Sequence, residues 1–273
     1  MNIGIIGYGG MGRKHADIAK QRNHSVVAIC DPNYHGVNAA DLATTMEISD
    51  GVVVAVPVGI RDTIASDILM WNKPILWEKP IALDPLVSNQ VLSHSKLVVA
   101  ENWSWSELGS NITSGSIVIL NFVLQDLKYV QSWAKDVKIG GGAFVEGGSH
   151  AITWFLHRTG YKSENIQQIT AAYRGDPERG VLILNYWNNP SSHLILSIDW
   201  SEKPNKYVGH NLTSVDENGE PLVLNWGEEY NGFNKEWQAF EALIIQETLS
   251  EKAQAIKEAA HGAALISDSV ILS

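Results

Sequence analysis

The sequence has little cysteine: Cys30 is the only one in 273 residues. An intrachain disulfide is excluded and a thiolate metal site is disfavoured. No metal is expected, and a reducing, cytoplasmic setting fits. Basic charge is also scarce, with 20 lysines and arginines against 30 acidic residues and a formal net charge of −10. Such a chain lacks the footprint of a nucleic-acid binder and is repelled by anionic membrane surfaces, which leaves a small molecule as the expected partner. Long apolar runs are missing, and none approaches the length needed to cross a bilayer. No signal peptide is visible, because a strand–turn pattern occupies the N-terminus. Internal repeats, low-complexity tracts and long linkers are absent too. The residue in unusual supply is tryptophan, with ten copies, eight of them from Trp103 onward.

What is present begins at the N-terminus. Asn2-Ile3-Gly4-Ile5-Ile6 is a short apolar run, and it leads straight into Gly7-Tyr8-Gly9-Gly10-Met11-Gly12. This is G-x-G-x-x-G in its meaningful place, after a strand and opening a helix. Gly7 allows the tight turn, Gly9 lets backbone N–H groups approach a pyrophosphate, and Gly12 lets helix and strand pack closely. Gly10 and Met11 lie in the same anion-facing turn. A helix is expected over 11–21, with Met11, Ile18 and Ala19 toward a sheet. His15 reads as a surface or packing histidine of that helix. A second apolar run, Ser25 to Cys30, ends at Asp31, where a carboxylate can accept both ribose hydroxyls of an adenosine and repel a 2′-phosphate. That favours NAD over NADP. Asp31-Pro32-Asn33 is also good turn chemistry, and the two roles are compatible.

Further buried runs follow at Gly51 to Val56, ended by Pro57, at Pro74 to Trp77, leading into Glu78-Lys79-Pro80, and at Leu97 to Ala100. Strand alternating with helix predicts a doubly wound parallel sheet. Beyond Glu101 the texture changes. Trp103-Ser104-Trp105 reads as an extended segment with both indoles on one face. Long β-rich runs then extend from Ile117 to Trp226, with turns expected at Asn188 to Ser191 and Glu217 to Glu220, and two helices, 233–249 and 253–272, follow. The fold class expected is α/β, a parallel sheet followed by an α+β half with an open, mainly antiparallel sheet. The division expected is 1–101 for the dinucleotide, 102–252 for substrate and oligomer contacts, and 253–273 as a closing helix packing back on the first domain.

A second constellation lies between Gly140 and Thr159. Read as one helix, it carries Glu146, His150, Thr153 and His157 in a single polar stripe, opposite an apolar face of Phe144, Ala151, Ile152 and Phe155. Gly160 is placed to cap it. Gly147 and Gly148 inside a helix each cost about 1 kcal/mol relative to alanine, which implies a close approach of backbone or ligand to that face.

Taken in order, Gly7-x-Gly9-x-x-Gly12, Val54-Ala55-Val56-Pro57, Glu78-Lys79-Pro80, Gly140-Gly141-Gly142 with His150, and the closing helix resemble the glucose–fructose oxidoreductase / inositol dehydrogenase (Gfo/Idh/MocA) family. The resemblance implies a Rossmann domain, a substrate domain on an open mixed sheet, and hydride transfer between NAD(H) and a hydroxyl-bearing carbon of a sugar, nucleotide sugar or cyclitol. It implies Lys79 and His150 as catalytic residues. Pro57 and Glu78 fall at the cofactor, and Glu146, Thr153 and Trp103 at the substrate. The chain departs from the pattern in having Glu146 where the family usually has aspartate, Thr153 where it often has another, and Asn102-Trp103-Ser104-Trp105 after the last strand. These departures fall on substrate-facing positions.

The chemistry fits those residue types. Removing hydride from a carbinol requires its hydroxyl proton to leave, which suits a histidine, and a lysine can steady charge on the oxygen. Two other readings stay open: a reductase of a non-sugar ring such as a tetrapyrrole or cyclic imine, and a dinucleotide-binding sensor without turnover. The alternating sheet has an apolar face that the chain has too few helices to cover, so a homodimer or homotetramer is expected.

Overall fold

The structure, a computed structural model, describes residues 1–124, 139–165, 168–173, 179–186, 192–199, 208–215, 220–222 and 231–271. The first sheet contains β1 (Asn2–Ile6), β2 (Ser25–Cys30), β3 (Gly51–Val54), β4 (Ile75–Glu78) and β5 (Leu97–Ala100), in the order β2-β1-β3-β4-β5. All neighbours are parallel. Strands β3, β4 and β5 are buried throughout, as their unbroken apolar runs require of strands covered on both faces. The covering helices include α1 (Gly10–Gln21), α2 (Leu42–Ile48), α3 (Val58–Leu69) and α4 (Pro85–Ser93). Aspartates 41 and 84 cap α2 and α4 by accepting from Thr44 N and Leu86 N. Strand order reverses between β1 and β3, where ligands bind in open sheets of this kind.

The second sheet has the order β11-β10-β6-β9-β8-β7, built from β6 (Ile117–Leu124), β7 (Gln168–Tyr173), β8 (Arg179–Tyr186), β9 (Ser192–Asp199), β10 (Val208–Val215) and β11 (Pro221–Leu222). Only the β6–β9 pair is parallel. Alternation sorts its side chains. Val118, Leu120, Leu182, Leu184, Leu194 and Leu196 are buried in one core with Ala151, Ile152 and Phe155. On the opposite face Ile117, Ile119 and Val181 are 36–38% exposed. The turns expected at 188–191 and 217–219 lie outside the described residues.

Two local expectations are corrected. Asn102–Trp105 is a helical turn, α5, not an extended segment. Trp103 enters the core of the second sheet and Trp105 that of the first, whereas a strand would have put both indoles on one face. The helix expected from Glu146 to His157 is broken into α6 (Gly142–Glu146) and α7 (Gly148–Thr159). Gly147 is the N-cap of α7, so Gly147 and Gly148 sit at a joint and not in a helix interior. Gly160, at φ 71°, closes α7.

The last two helices, α8 (Gly232–Gln246) and α9 (Glu251–Ile271), return to the first sheet. Trp237, Phe240 and Leu243 of α8 belong to the Rossmann core. On α9, Ala253, Ile256 and Ala260 join that core, while Ala259, Ala263 and Ile266 join the second. One helix thus lends a face to each half.

Candidate active site

The dinucleotide end is shaped by the first glycines. Gly7 has φ 89°, and its N–H donates to Cys30 O at 2.9 Å, tying the turn to β2. A side chain at Gly12 would run into the Gly7 carbonyl, whereas one at Gly9 or Gly10 would meet open space. Packing therefore explains Gly12 and leaves Gly9 and Gly10 as room in front of α1. No side chain caps α1. Its first N–H groups are left for an anion, with partly buried Met11 in the same turn. Asp31 Oδ2 accepts from Tyr8 N at 2.6 Å and Oδ1 from Asn33 N at 2.8 Å. The carboxylate thus builds the turn, and each oxygen keeps a further acceptor direction for a ribose hydroxyl. Pro57 precedes α3 at the neighbouring strand end. These residues fit a dinucleotide.

The Lys79 loop is anchored from beneath. Arg61, buried on α3, donates to the carbonyls of Glu78, Lys79 and Pro80. Trp77 Nε1 donates to Ile81 O at 2.9 Å. Burial holds the Arg61 guanidinium down to about 10, still charged at neutral pH. Glu78 points inward: Oε1 lies 2.9 Å from His15 Nε2 and Oε2 accepts from Lys79 N. Trp237 Nε1 donates to His15 Nδ1 at 3.0 Å, so Nε2 carries the imidazole proton and donates to Glu78. Burial raises the Glu78 carboxyl, but the His15 bond and the charges of Lys79 and Arg61 outweigh it and leave the group lowered. His15 is thus a core residue tying α1, β4 and α8 together.

Lys79 crosses to the other half. Its Nζ donates to Glu146 Oε1 at 2.8 Å and to Glu146 O at 2.9 Å, at the end of α6. His150 follows in the first turn of α7, with Trp103 stacked on it at a centroid distance of 5.1 Å and an interplanar angle of 16°. His150 Nδ1 abuts Glu101 Oε1. Burial and then the Lys79 charge hold the imidazole well below its usual range, against Glu146 and Glu78. Thr153, Lys79 and Glu101 line one small cavity of about 20 Å³. Lys79, Glu146, His150, Trp103 and Thr153 are thus brought together at the junction, while Gly7, Gly9, Gly10, Met11, Gly12, Asp31 and Pro57 gather at the turn in front of α1. A larger cavity, about 850 Å³, lies elsewhere, among α4, α7 and α9, and includes neither Lys79 nor His150.

Two residues stand out here that the motifs did not mark. Glu101 follows β5 on the carboxyl edge of the sheet, and that position was its available signal. Glu236 on α8 is fully buried, with neither carboxylate oxygen hydrogen-bonded. Nothing local in the sequence marks it. Among the described residues no cluster of His, Cys, Asp or Glu could hold a metal, and no helix is long and apolar enough to cross a membrane.

Residues 1–96 match an oxidoreductase family with an NAD-binding Rossmann fold, Gfo/Idh/MocA. No curated protein sequence matches the chain significantly. Solved structures share the fold at low identity. Myo-inositol dehydrogenase from Lactobacillus casei, in complex with NAD(H) and myo-inositol, superposes with a TM-score of 0.76 at 16% identity, over 100% of this chain and 94% of the other. UDP-N-acetylglucosamine 3-dehydrogenase GnnA from Acidithiobacillus ferrooxidans gives 0.71 at 14% identity, over 99% and 97%. The WlbA (WbpB) dehydrogenase from Thermus thermophilus, in complex with NAD and UDP-GlcNAcA, gives 0.70 at 16% identity, over 98% and 94%. The family match thus covers residues 1–96, and over the whole chain the protein shares the fold of these dehydrogenases.

Proposed function

We propose that this protein is an NAD(H)-dependent oxidoreductase acting on a hydroxyl-bearing or carbonyl carbon of a sugar, nucleotide sugar or cyclitol. One observation carries the reading. Lys79, on the carboxyl edge of the Rossmann sheet, is ion-paired across the junction to Glu146, one turn before His150. A bound nicotinamide dinucleotide supplies or accepts the hydride. The chain's own residues do the rest. His150 takes or returns the hydroxyl proton, and Lys79 donates to the same oxygen and stabilises charge developing there. Glu146 orients Lys79 and offers its second oxygen, which is buried without a partner, to a substrate hydroxyl. Thr153 and Trp103 shape the substrate side. The inositol and UDP-sugar ligands of the structural relatives support a polyhydroxylated substrate. NADH turnover screened against sugars, nucleotide sugars, cyclitols and cyclic imines tests this. Turnover confined to cyclic imines, or to none of these, overturns it.

The Asp31 carboxylate favours NAD over NADP. The exposed apolar face of the second sheet, with Ile117, Ile119 and Val181, supports a homo-oligomer in which that face is covered. Light scattering giving 30.0 kDa at micromolar concentration would overturn the assembly. The single cysteine fits work in the cytoplasm.

A further inference from the structure

Glu101 is the first residue beyond β5, and its side chain is 1% exposed. Its Oε1 abuts His150 Nδ1, and neither atom has a hydrogen bond to any other group. Trp103, two residues on, covers the face of the same imidazole. One short stretch after β5 therefore holds the ring by its edge and by its face. A neutral imidazole has one donor and one acceptor nitrogen, so whatever Nδ1 does fixes what Nε2 can do. The His150 side chain remains 12% open.

We propose that Glu101 is the positioning residue of His150: it engages Nδ1 and leaves Nε2 as the atom that exchanges a proton with the substrate hydroxyl. The inference rests on the oxidoreductase reading and adds to it a residue that touches neither substrate nor cofactor. In the oxidising direction the carbinol O–H bond breaks and its proton passes to Nε2. The O–H electron pair becomes the second C–O bond as the carbon's hydride leaves for the oxidised dinucleotide. The Nδ1 proton then passes to Glu101, and the pair has gained one proton as a unit. Reduction of a carbonyl runs the same steps backward.

Several charged groups face this pair: Glu78 and Lys79 at the end of β4, Glu146 from α6, and Glu236 from α8. Burial pushes the Glu101 carboxyl up to about 8, against Lys79 and with Glu78. The imidazole stays neutral. Below about pH 8, protonated Glu101 donates to Nδ1 and Nε2 bears the hydrogen. Above it, Nδ1 donates to the carboxylate and the Nε2 lone pair is free to act as base.

Nitrogen-15 NMR of histidine-labelled protein without ligand tests this, with the His150 signals assigned by their loss in His150→Gln. The expected result is a change from the Nε2–H to the Nδ1–H tautomer as pH rises through about 8. Glu101→Gln should abolish that change, remove the limb near pH 8 from the oxidation profile, and lower kcat by about tenfold to a hundredfold with NADH affinity unchanged. A wild-type tautomer constant from pH 6 to pH 10 would overturn the proposal, as would a Glu101→Gln protein that titrates like wild type. The wild-type titration needs no variant, so the test survives a misfolded Glu101→Gln. It also needs no substrate. A tautomer switch without turnover on any carbinol would sink the oxidoreductase reading and leave the Glu101 clamp standing.

Discussion

Lys79 Nζ holds Glu146 twice, at the carboxylate and at the backbone carbonyl that ends α6. The ammonium thus fixes the joint from which α7 and His150 depart. Lys79→Met should lower turnover by roughly 10²-fold or more while NADH affinity barely changes, because the lost charge acts on the reacting oxygen. Glu146→Gln should cost less in kcat and more in substrate KM, since the amide keeps one acceptor for Lys79. Steady-state kinetics beside NADH fluorescence titration separates the two. Equal kcat losses in both variants would contradict the division of roles.

Arg61 is far from any open surface yet supports the Lys79 loop through three carbonyls. Arg61→Lys keeps the charge and loses the planar fork. Carbonyls left buried without a donor cost about 1–3 kcal/mol each. The expected outcome is a lowered melting temperature together with a fall in kcat per folded molecule. A variant that is destabilised but fully active when folded would show that the loop holds its shape without this anchor.

Asp31 both closes the turn and stands where ribose hydroxyls are expected. Asp31→Asn keeps an acceptor oxygen for only one of Tyr8 N and Asn33 N while removing the charge that repels a 2′-phosphate. The NAD(H) preference should narrow by roughly tenfold, through tighter NADPH binding, with a modest fall in melting temperature from the turn hydrogen bond that is lost. Titration of both cofactors checks it, and an unchanged preference would assign Asp31 to the turn alone.

Glu236 carries a pH dependence of stability. Burial, reinforced by Glu78 and Glu101 and opposed by Lys14, raises its carboxyl well above the usual range. The unfolded chain releases this proton near pH 4.3, roughly, while the folded chain keeps it. Above that pH the native state binds more protons than the unfolded one, so stability falls as pH rises toward the folded value. Glu236→Gln removes the titration and keeps the shape. Wild type should lose more melting temperature than the variant between pH 5 and pH 8, the Glu101 contribution being common to both. Parallel curves would mean that Glu236 is ionised in the folded protein.

Much of the Rossmann half is legible because its signals are local. An apolar run, a glycine turn and a helix follow one another within twenty-one residues, and Asp31 ends the next strand. The Trp103-Ser104-Trp105 stretch misleads because alternation of large side chains is a strand signal, while the backbone closes instead onto Glu101 O through Ser104 N and Trp105 N. The joint at Gly147 is hidden because a break of one residue leaves the helical spacing of Glu146, His150 and Thr153 nearly intact. Lys79 and His150 were readable by motif. Their neighbours Glu101 and Glu236 were not, since a buried carboxylate is defined by what the tertiary fold brings to it.

The cores also bear on how the chain is made. Trp237, Phe240, Leu243, Ala253, Ile256 and Ala260 complete the wall of the first sheet. When residues 1–101 leave the ribosome, that sheet has its strands and its own helices but lacks this covering. The gap closes only after residues 102–236 have been synthesised. During translation the half that binds dinucleotide is therefore a platform with one bare apolar side, in need of shelter. A ribosome stalled after β5 presents a sheet whose core still lacks the side chains of the last two helices.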